Sequence, residues 1–121
     1  MKVVELKKYS DSSLRMLENE IQILKTLDHP NVIKCFETFK TSSHCFIVTE
    51  YCSNGDLLSY LTRRGKLQEN VASEVMAEII EGVKYLLRKG ILHRDLKPAN
   101  ILNNRKNWKI ADFGFAIYSE G

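Results

Sequence analysis

Apolar residues recur along this chain in short blocks of two different periods, and each block ends at turn-forming residues. Val3 to Leu6 is short and β-branched and predicts a strand. Ser10-Asp11-Ser12-Ser13 is a cluster of helix N-cap residues. Leu14 to Leu27 then predicts a helix that stops near His29-Pro30-Asn31. Val32 to Phe39 and His44 to Glu50 predict two strands joined by a polar turn from Lys40 to Ser43. Past the turn Ser53-Asn54-Gly55, Asp56 to Arg64 predicts a short helix closed by Gly65. Glu69 to Lys89 predicts a longer helix, with Val71, Val75, Ile79 and Val83 on one stripe and Gly90 as its C-terminal cap. Ile91-Leu92, Ile101-Leu102 and Trp108 to Ala111 predict short strands between polar loops. Strands around one helix, then mostly helix, then small hairpins imply an α+β fold rather than a repeating βαβ sheet.

One residue breaks the pattern. When Leu14 to Leu27 is placed at helical steps, Leu14, Met16, Leu17, Ile21, Ile23, Leu24 and Leu27 fill one half of the wheel. Glu20 falls among them, three residues after Leu17 and four before Leu24. A carboxylate on a packing face is costly unless a cation meets it. The wheel alone leaves two readings: a rim carboxylate that reaches water, or a carboxylate that positions a basic residue of a neighbouring strand.

Composition narrows the class. The chain has 121 residues, 44% hydrophobic and 27% charged, which is room for one domain with a single core. The apolar share argues against disorder, and two prolines and six glycines argue against a low-complexity linker. A net charge of +3 is too mild to imply nucleic acid or an acidic membrane. No run reaches the length of a membrane span, and Met1-Lys2-Val3-Val4-Glu5 lacks the apolar stretch of a signal peptide. The expected compartment is the cytoplasm, with the nucleus also open. Cys35, Cys45 and Cys52 are odd in number and show no C-x-x-C spacing. His44 beside Cys45 raises a Cys/His metal site, but structural zinc sites bring ligands in close pairs, so reduced thiols are the expectation.

The strongest signal is His93-Arg94-Asp95-Leu96-Lys97-Pro98-Ala99-Asn100, followed twelve residues after Asn100 by Asp112-Phe113-Gly114. Either motif alone is weak. Together, in this order and spacing, they match a catalytic loop followed by a metal-binding motif. The sequence resembles a eukaryotic protein kinase catalytic domain of the serine/threonine type. The resemblance implies ATP and Mg2+ as cofactors and a protein substrate bearing a Ser or Thr hydroxyl. It makes Asp95 the base for that hydroxyl, and Asn100 and Asp112 the oxygen ligands of magnesium. Lys97, a residue that serine/threonine kinases show at this place, would steady the transferred phosphate.

The resemblance extends upstream. Glu20 and Leu27-Asp28-His29-Pro30-Asn31-Val32 look like the family's C-helix and the turn after it, which favours the positioning role for Glu20. Its partner would be the strand lysine that binds the α- and β-phosphates. Lys2, eighteen residues before Glu20, is close to the family separation, whereas Lys7 and Lys8 sit too near the helix. Ile47-Val48-Thr49-Glu50-Tyr51-Cys52 looks like the strand and hinge that receive adenine. Thr49 would bound the rear of that pocket, the backbone of Glu50 and Cys52 would bond the adenine edge, and Leu102 would pack beneath the ring. Asp56 is placed either to reach a ribose hydroxyl or to cap the short helix, and the two are compatible. An apolar column would couple the lobes through Leu24, Cys35, Phe113 and His93, with Cys35 smaller than the family's usual residue.

On this resemblance residues 1–50 are part of a small lobe, 51–55 a hinge and 56–121 part of a mainly helical large lobe. A glycine-rich loop would precede Lys2, and an activation segment with an Ala-Pro-Glu-like end would follow Gly121. The 121 residues would then be a truncated product, with Met1 an internal methionine, and weak or absent catalysis and poor solubility are expected of them. A non-catalytic kinase-like binding module is the alternative. A small-molecule kinase is disfavoured because Lys97-Pro98 and His29-Pro30-Asn31 look protein-kinase-like.

Overall fold

A computed structural model describes residues 2–119; what was expected of Met1 and of the last two residues of the 56–121 span lies outside them. Strands β1 (Lys2–Glu5), β2 (Cys35–Lys40) and β3 (His44–Thr49) form an antiparallel sheet in the order β1-β3-β2. Alternation along β3 turns Cys45 and Ile47 inward, where they join Val4 and the Leu17, Ile21 and Leu24 side chains of helix α1 (Asp11–Leu24) in one core.

Element ends differ from the sequence reading for local reasons. The first strand lies one residue earlier than expected, because Leu6–Lys8 winds into a 3-10 turn and the Leu6 N–H donates to the Ser43 carbonyl at 2.9 Å. Helix α1 begins at Asp11 because Ser10 caps it, its Oγ accepting the Ser13 N–H at 3.2 Å. It ends at Leu24, so Leu27 is buried beyond the helix, and Met16 stays exposed although the wheel put it on the packing half. Val32 and Ile33 do not open the second strand. They are buried against the far side of the molecule, where Val32 bridges Ile110 and the Ile33 N–H donates to the Ile110 carbonyl at 2.9 Å. Strand β3 stops at Thr49, one residue short of Glu50.

The second half is built from helices α2 (Leu57–Arg64) and α3 (Glu69–Arg88) and from strands β4 (Ile91–Leu92), β5 (Ile101–Asn103), β6 (Trp108–Ile110) and β7 (Ile117–Tyr118). Strands β5 and β6 form a hairpin, but β4 pairs with β7, which closes the chain around the loops between them. Ile117–Tyr118 was not expected to be a strand, and two residues carry too little pattern to announce one. The stripe on α3 packs as expected: Val75 is buried and Val71, Ile79 and Val83 are partly buried against the core, and Gly82 and Leu86, which the pattern passes over, are buried on the same face. The face is set by close approach: a Cβ on Gly82 would lie 2.7 Å from the Asn31 carbonyl oxygen and 2.9 Å from the Ile110 side chain. Met76, Ile80 and Leu87 are exposed. No helix among the described residues is long and apolar enough to cross a membrane.

Candidate active site

The loop between β4 and β5 is held by its own polar groups. His93 is buried; its Nδ1 accepts the Asp95 N–H at 3.1 Å, so the ring proton sits on Nε2, which donates to the Ala111 carbonyl at 2.8 Å. Its ring packs edge-on against Phe113 with centroids 4.9 Å apart. Arg94 adopts φ +69°, an unfavourable left-handed conformation for a side-chain-bearing residue, and its Nε donates to the Phe115 carbonyl at 2.8 Å. Pro98–Asn100 forms a 3-10 turn that brings Asn100 back over Asp95. The Asn100 amide nitrogen donates to the Asp95 carbonyl at 2.8 Å and to its Oδ2 at 3.1 Å. That leaves the amide oxygen of Asn100 without a partner in the loop. Lys97 Nζ lies 3.8 Å from the other carboxylate oxygen of Asp95.

Asp112 follows the buried Ala111 and precedes Phe113, which is wholly buried. Its φ of +57° is again left-handed and turns its carboxylate out of the core, where one oxygen accepts the Gly114 N–H at 3.2 Å. Across from it, Lys2 Nζ meets Glu20 Oε1 at 3.4 Å; the Glu20 side chain is 8% exposed and that of Lys2 48%. Burial pushes the Glu20 carboxyl above its usual range, the Lys2 ammonium opposes this, and the nearby Asp112 charge adds a smaller upward push. A cleft of about 340 Å³ lies between these groups. Lys2, Glu20, Leu24, Ile47 and Thr49 line it on one side, and Asn100, Leu102, Ala111, Asp112 and Phe113 on the other.

The sequence-predicted residues therefore fall into two sets. Lys2, Glu20, Thr49, Asn100, Leu102 and Asp112 share the cleft, and Asp95 and Lys97 adjoin it through Asn100. Glu50, Cys52 and Asp56 do not line it. The Glu50 carboxylate points elsewhere: its Oε1 accepts the Lys34 N–H at 2.9 Å and meets Lys109 Nζ at 2.8 Å. Cys52 is half-buried, and burial, with the Glu50 charge, pushes its thiol up. Asp56 caps α2: Oδ1 accepts the Ser59 N–H at 2.8 Å and Oδ2 the Ser59 hydroxyl at 3.1 Å, and the backbone donor holds its carboxyl below the usual range. Of the proposed column, Leu24, Phe113 and His93 are buried, while Cys35 is half-buried with its Sγ 3.7 Å from the Glu37 carbonyl.

Sequence reasoning missed the polar groups that brace the site. Glu78 Oε1 accepts from Asn31 Nδ2 at 3.1 Å, Asn107 Nδ2 at 3.0 Å and the Trp108 N–H at 3.2 Å, which locks the turn after α1 to α3 and β6. Asn19 donates to the Ala116 carbonyl at 2.7 Å, linking α1 to the chain after Asp112. On a helix wheel Glu78 reads as a solvated side chain, and nothing in its own segment signals its three donors.

The donor set suits a hard cation. Asp112 and the free amide oxygen of Asn100 offer oxygen ligands on one side of the cleft, with no soft ligand beside them. Among the described residues no three His, Cys, Asp or Glu side chains are grouped to hold a metal alone. Magnesium is a hard cation that takes one or two protein ligands and completes its shell with water and phosphate oxygens.

Comparisons with known proteins bear on the family rather than on the geometry of the site. The model of the protein kinase domain matches residues 1–121. The serine/threonine-protein kinase ATG1a of Arabidopsis thaliana is 43% identical over 120 residues, covering 96% of this chain and 19% of that protein. The serine/threonine-protein kinase kin-29 of Caenorhabditis elegans is 39% identical over 122 residues, covering 100% of this chain and 15% of that protein. The serine/threonine-protein kinase SIK1 of Mus musculus is 38% identical over 119 residues, covering 98% and 15%. The chain thus spans less than a fifth of the length of these relatives.

Proposed function

This chain belongs to the protein kinase domain family, and on that premise we propose that it carries the catalytic centre of an ATP-dependent serine/threonine protein kinase. Its α+β architecture is that of an incomplete kinase-like domain. The observation that carries the reading is the bond from the Asn100 amide to the Asp95 carboxylate, beside a cleft shared by Asp112, Lys2 and Glu20.

In this reading residues 1–50 are the small-lobe part, 51–55 the hinge and 56–121 the large-lobe part. Asp95 takes or orients the proton of a protein Ser or Thr hydroxyl. One of its oxygens is already occupied by Asn100, so the other, facing Lys97, is the one left for the hydroxyl. Lys97 places its ammonium where negative charge accumulates on the transferred group. Bound Mg-ATP supplies the γ-phosphoryl group and the cation that offsets the charge on its oxygens. Asn100 and Asp112 hold that cation, Lys2 binds the α- and β-phosphates, and Glu20 holds Lys2. Thr49 would bound the adenine pocket at the rear and Leu102 would lie beneath the ring, and the backbone of Glu50 and Cys52, which follows Thr49 outside the lining of the cleft, would bond its edge. Asp56, with its side chain engaged at the helix cap, still has lone pairs for a ribose hydroxyl. The cytoplasm is the proposed location.

In the protein that carries this segment, Asp95→Asn should lower phosphate transfer to a Ser/Thr peptide roughly a hundredfold or more. Normal turnover by that variant would refute the assignment. The 121 residues alone should show little or no transfer. A second reading, a non-catalytic kinase-like binding module, draws on the exposed Met76, Ile80 and Leu87 face of α3. It predicts no phosphate transfer by the parent protein either, so the same assay on the parent separates the two.

A further inference from the structure

The ion pair of half-buried Glu50 and buried Lys109 has no part in the chemistry above. Lys109 is opposite Leu102 in the β5–β6 hairpin, so both side chains leave the same face of the ladder. Leu102 faces the cleft, and Lys109 reaches past it to the Glu50 carboxylate at 2.8 Å, with only 8% of the lysine side chain and 16% of the glutamate exposed. Glu50 is in turn clasped by the backbone of Lys34, whose N–H donates to its carboxylate and whose carbonyl accepts its N–H, both at 2.9 Å. The connector out of β3 is thereby pinned to strand β6, which ends at Ile110, two residues before Asp112.

We infer that Lys109 is a positioning residue: through Glu50 it fixes the connector between the two halves against the strand that presents Asp112. A buried ion pair is a weak source of net stability, since a neutral or apolar replacement of similar size often leaves the fold as stable as before. What such a pair supplies is one orientation, because a charge taken from water tolerates no other partner geometry. Lys109 has no rival partner among the described ion pairs, and little of its side chain is exposed.

The pair is tested by Glu50→Gln with Lys109→Met in the same chain. The glutamine side-chain carbonyl can still accept the Lys34 N–H, so only the tie is removed. Hydrogen exchange is followed without nucleotide at the backbone N–H of position 50, which bonds Lys34, and at the Ala111 N–H, which bonds Asn100 at 2.8 Å. Exchange at both should rise roughly tenfold together while amides of α3 keep their protection, and Lys109→Arg with Glu50 intact should keep both at the parent rate. Uniform loss across the chain, a rise at one site only, no change, or a double variant that fails to fold would each overturn the positioning role. The consequence for ligand rests on the kinase reading: Mg-ATP should bind the double variant roughly tenfold more weakly than the parent. A parent chain that binds no nucleotide would defeat that reading, and the exchange data would still decide the tie.

Discussion

On one wall of the cleft, Lys2 leaves an edge strand to meet Glu20 at 3.4 Å with about half of its side chain in water. On the other wall, Asp95 and Asn100 are bonded to each other, His93 is buried under Phe113, and Asp112 and Arg94 are held at left-handed φ. The two walls carry charges of the same importance to the proposed chemistry, yet they are fixed by different means. The Lys2 wall depends on one long, partly solvated ion pair. The opposite wall is a packed network in which unfavourable backbone conformations, about 1–3 kcal/mol each, persist because their surroundings allow no alternative. On the proposed reading, an adjustable wall facing a preorganised one would let Lys2 shift while Asp95, Asn100 and Asp112 stay in place.

The largest predicted effect comes from emptying the rigid wall. Phe113→Ala removes a wholly buried ring that meets His93 edge-on and should cost about 3–5 kcal/mol in chemical denaturation. A loss under about 1 kcal/mol would show that the wall is not packed as described. Next is Gly82→Ala. The added Cβ meets the Asn31 carbonyl and Ile110, both backbone-bonded into the same brace, so about 1–3 kcal/mol should be lost despite the better helix propensity of alanine. Stabilisation by this substitution would mean that α3 stands off from the turn after α1.

The smallest effect belongs to the adjustable wall. Burial raises the Glu20 carboxyl, so folding favours its protonated form. Its contribution to stability is therefore greatest below the ordinary carboxylate range and is lost as pH rises through the raised value. Glu20→Gln should change stability at neutral pH by about 1 kcal/mol or less, and flatten that fall as pH rises from the ordinary carboxylate range. Thermal melts over that rise would check it; an unchanged slope would place the titration on another group.

The contrast between the walls also explains what could be read from the sequence. The rigid wall is contiguous in the chain, so His93 to Asn100 and Asp112 to Gly114 announced themselves by residue type and spacing. Glu20 was visible because a carboxylate interrupts an apolar helix face, and the structure places it 3.4 Å from Lys2. What stayed hidden is long-range. Val32 and Ile33 read as a strand, yet their backbone partners lie in β6, and no local period encodes that. The pairing of β4 with β7 joins two-residue strands far apart in sequence. The valine and isoleucine stripe marks the packed face of α3, but the closest approach on that face is made by Gly82, which no apolar pattern includes. Glu50 was assigned by its backbone alone, and its carboxylate turned out to serve Lys34 and Lys109.

The central claim is that both walls hold one magnesium-bound nucleotide. Titration of the chain with ATP, with and without Mg2+, tests it most directly, using Asp112→Asn and Lys2→Met as separate probes of the two walls. The account predicts saturable binding that strengthens with Mg2+, with the Mg2+ gain lost in Asp112→Asn and nucleotide affinity lowered in Lys2→Met whether or not the metal is present. ATP binding that ignores Mg2+ and both substitutions would contradict it.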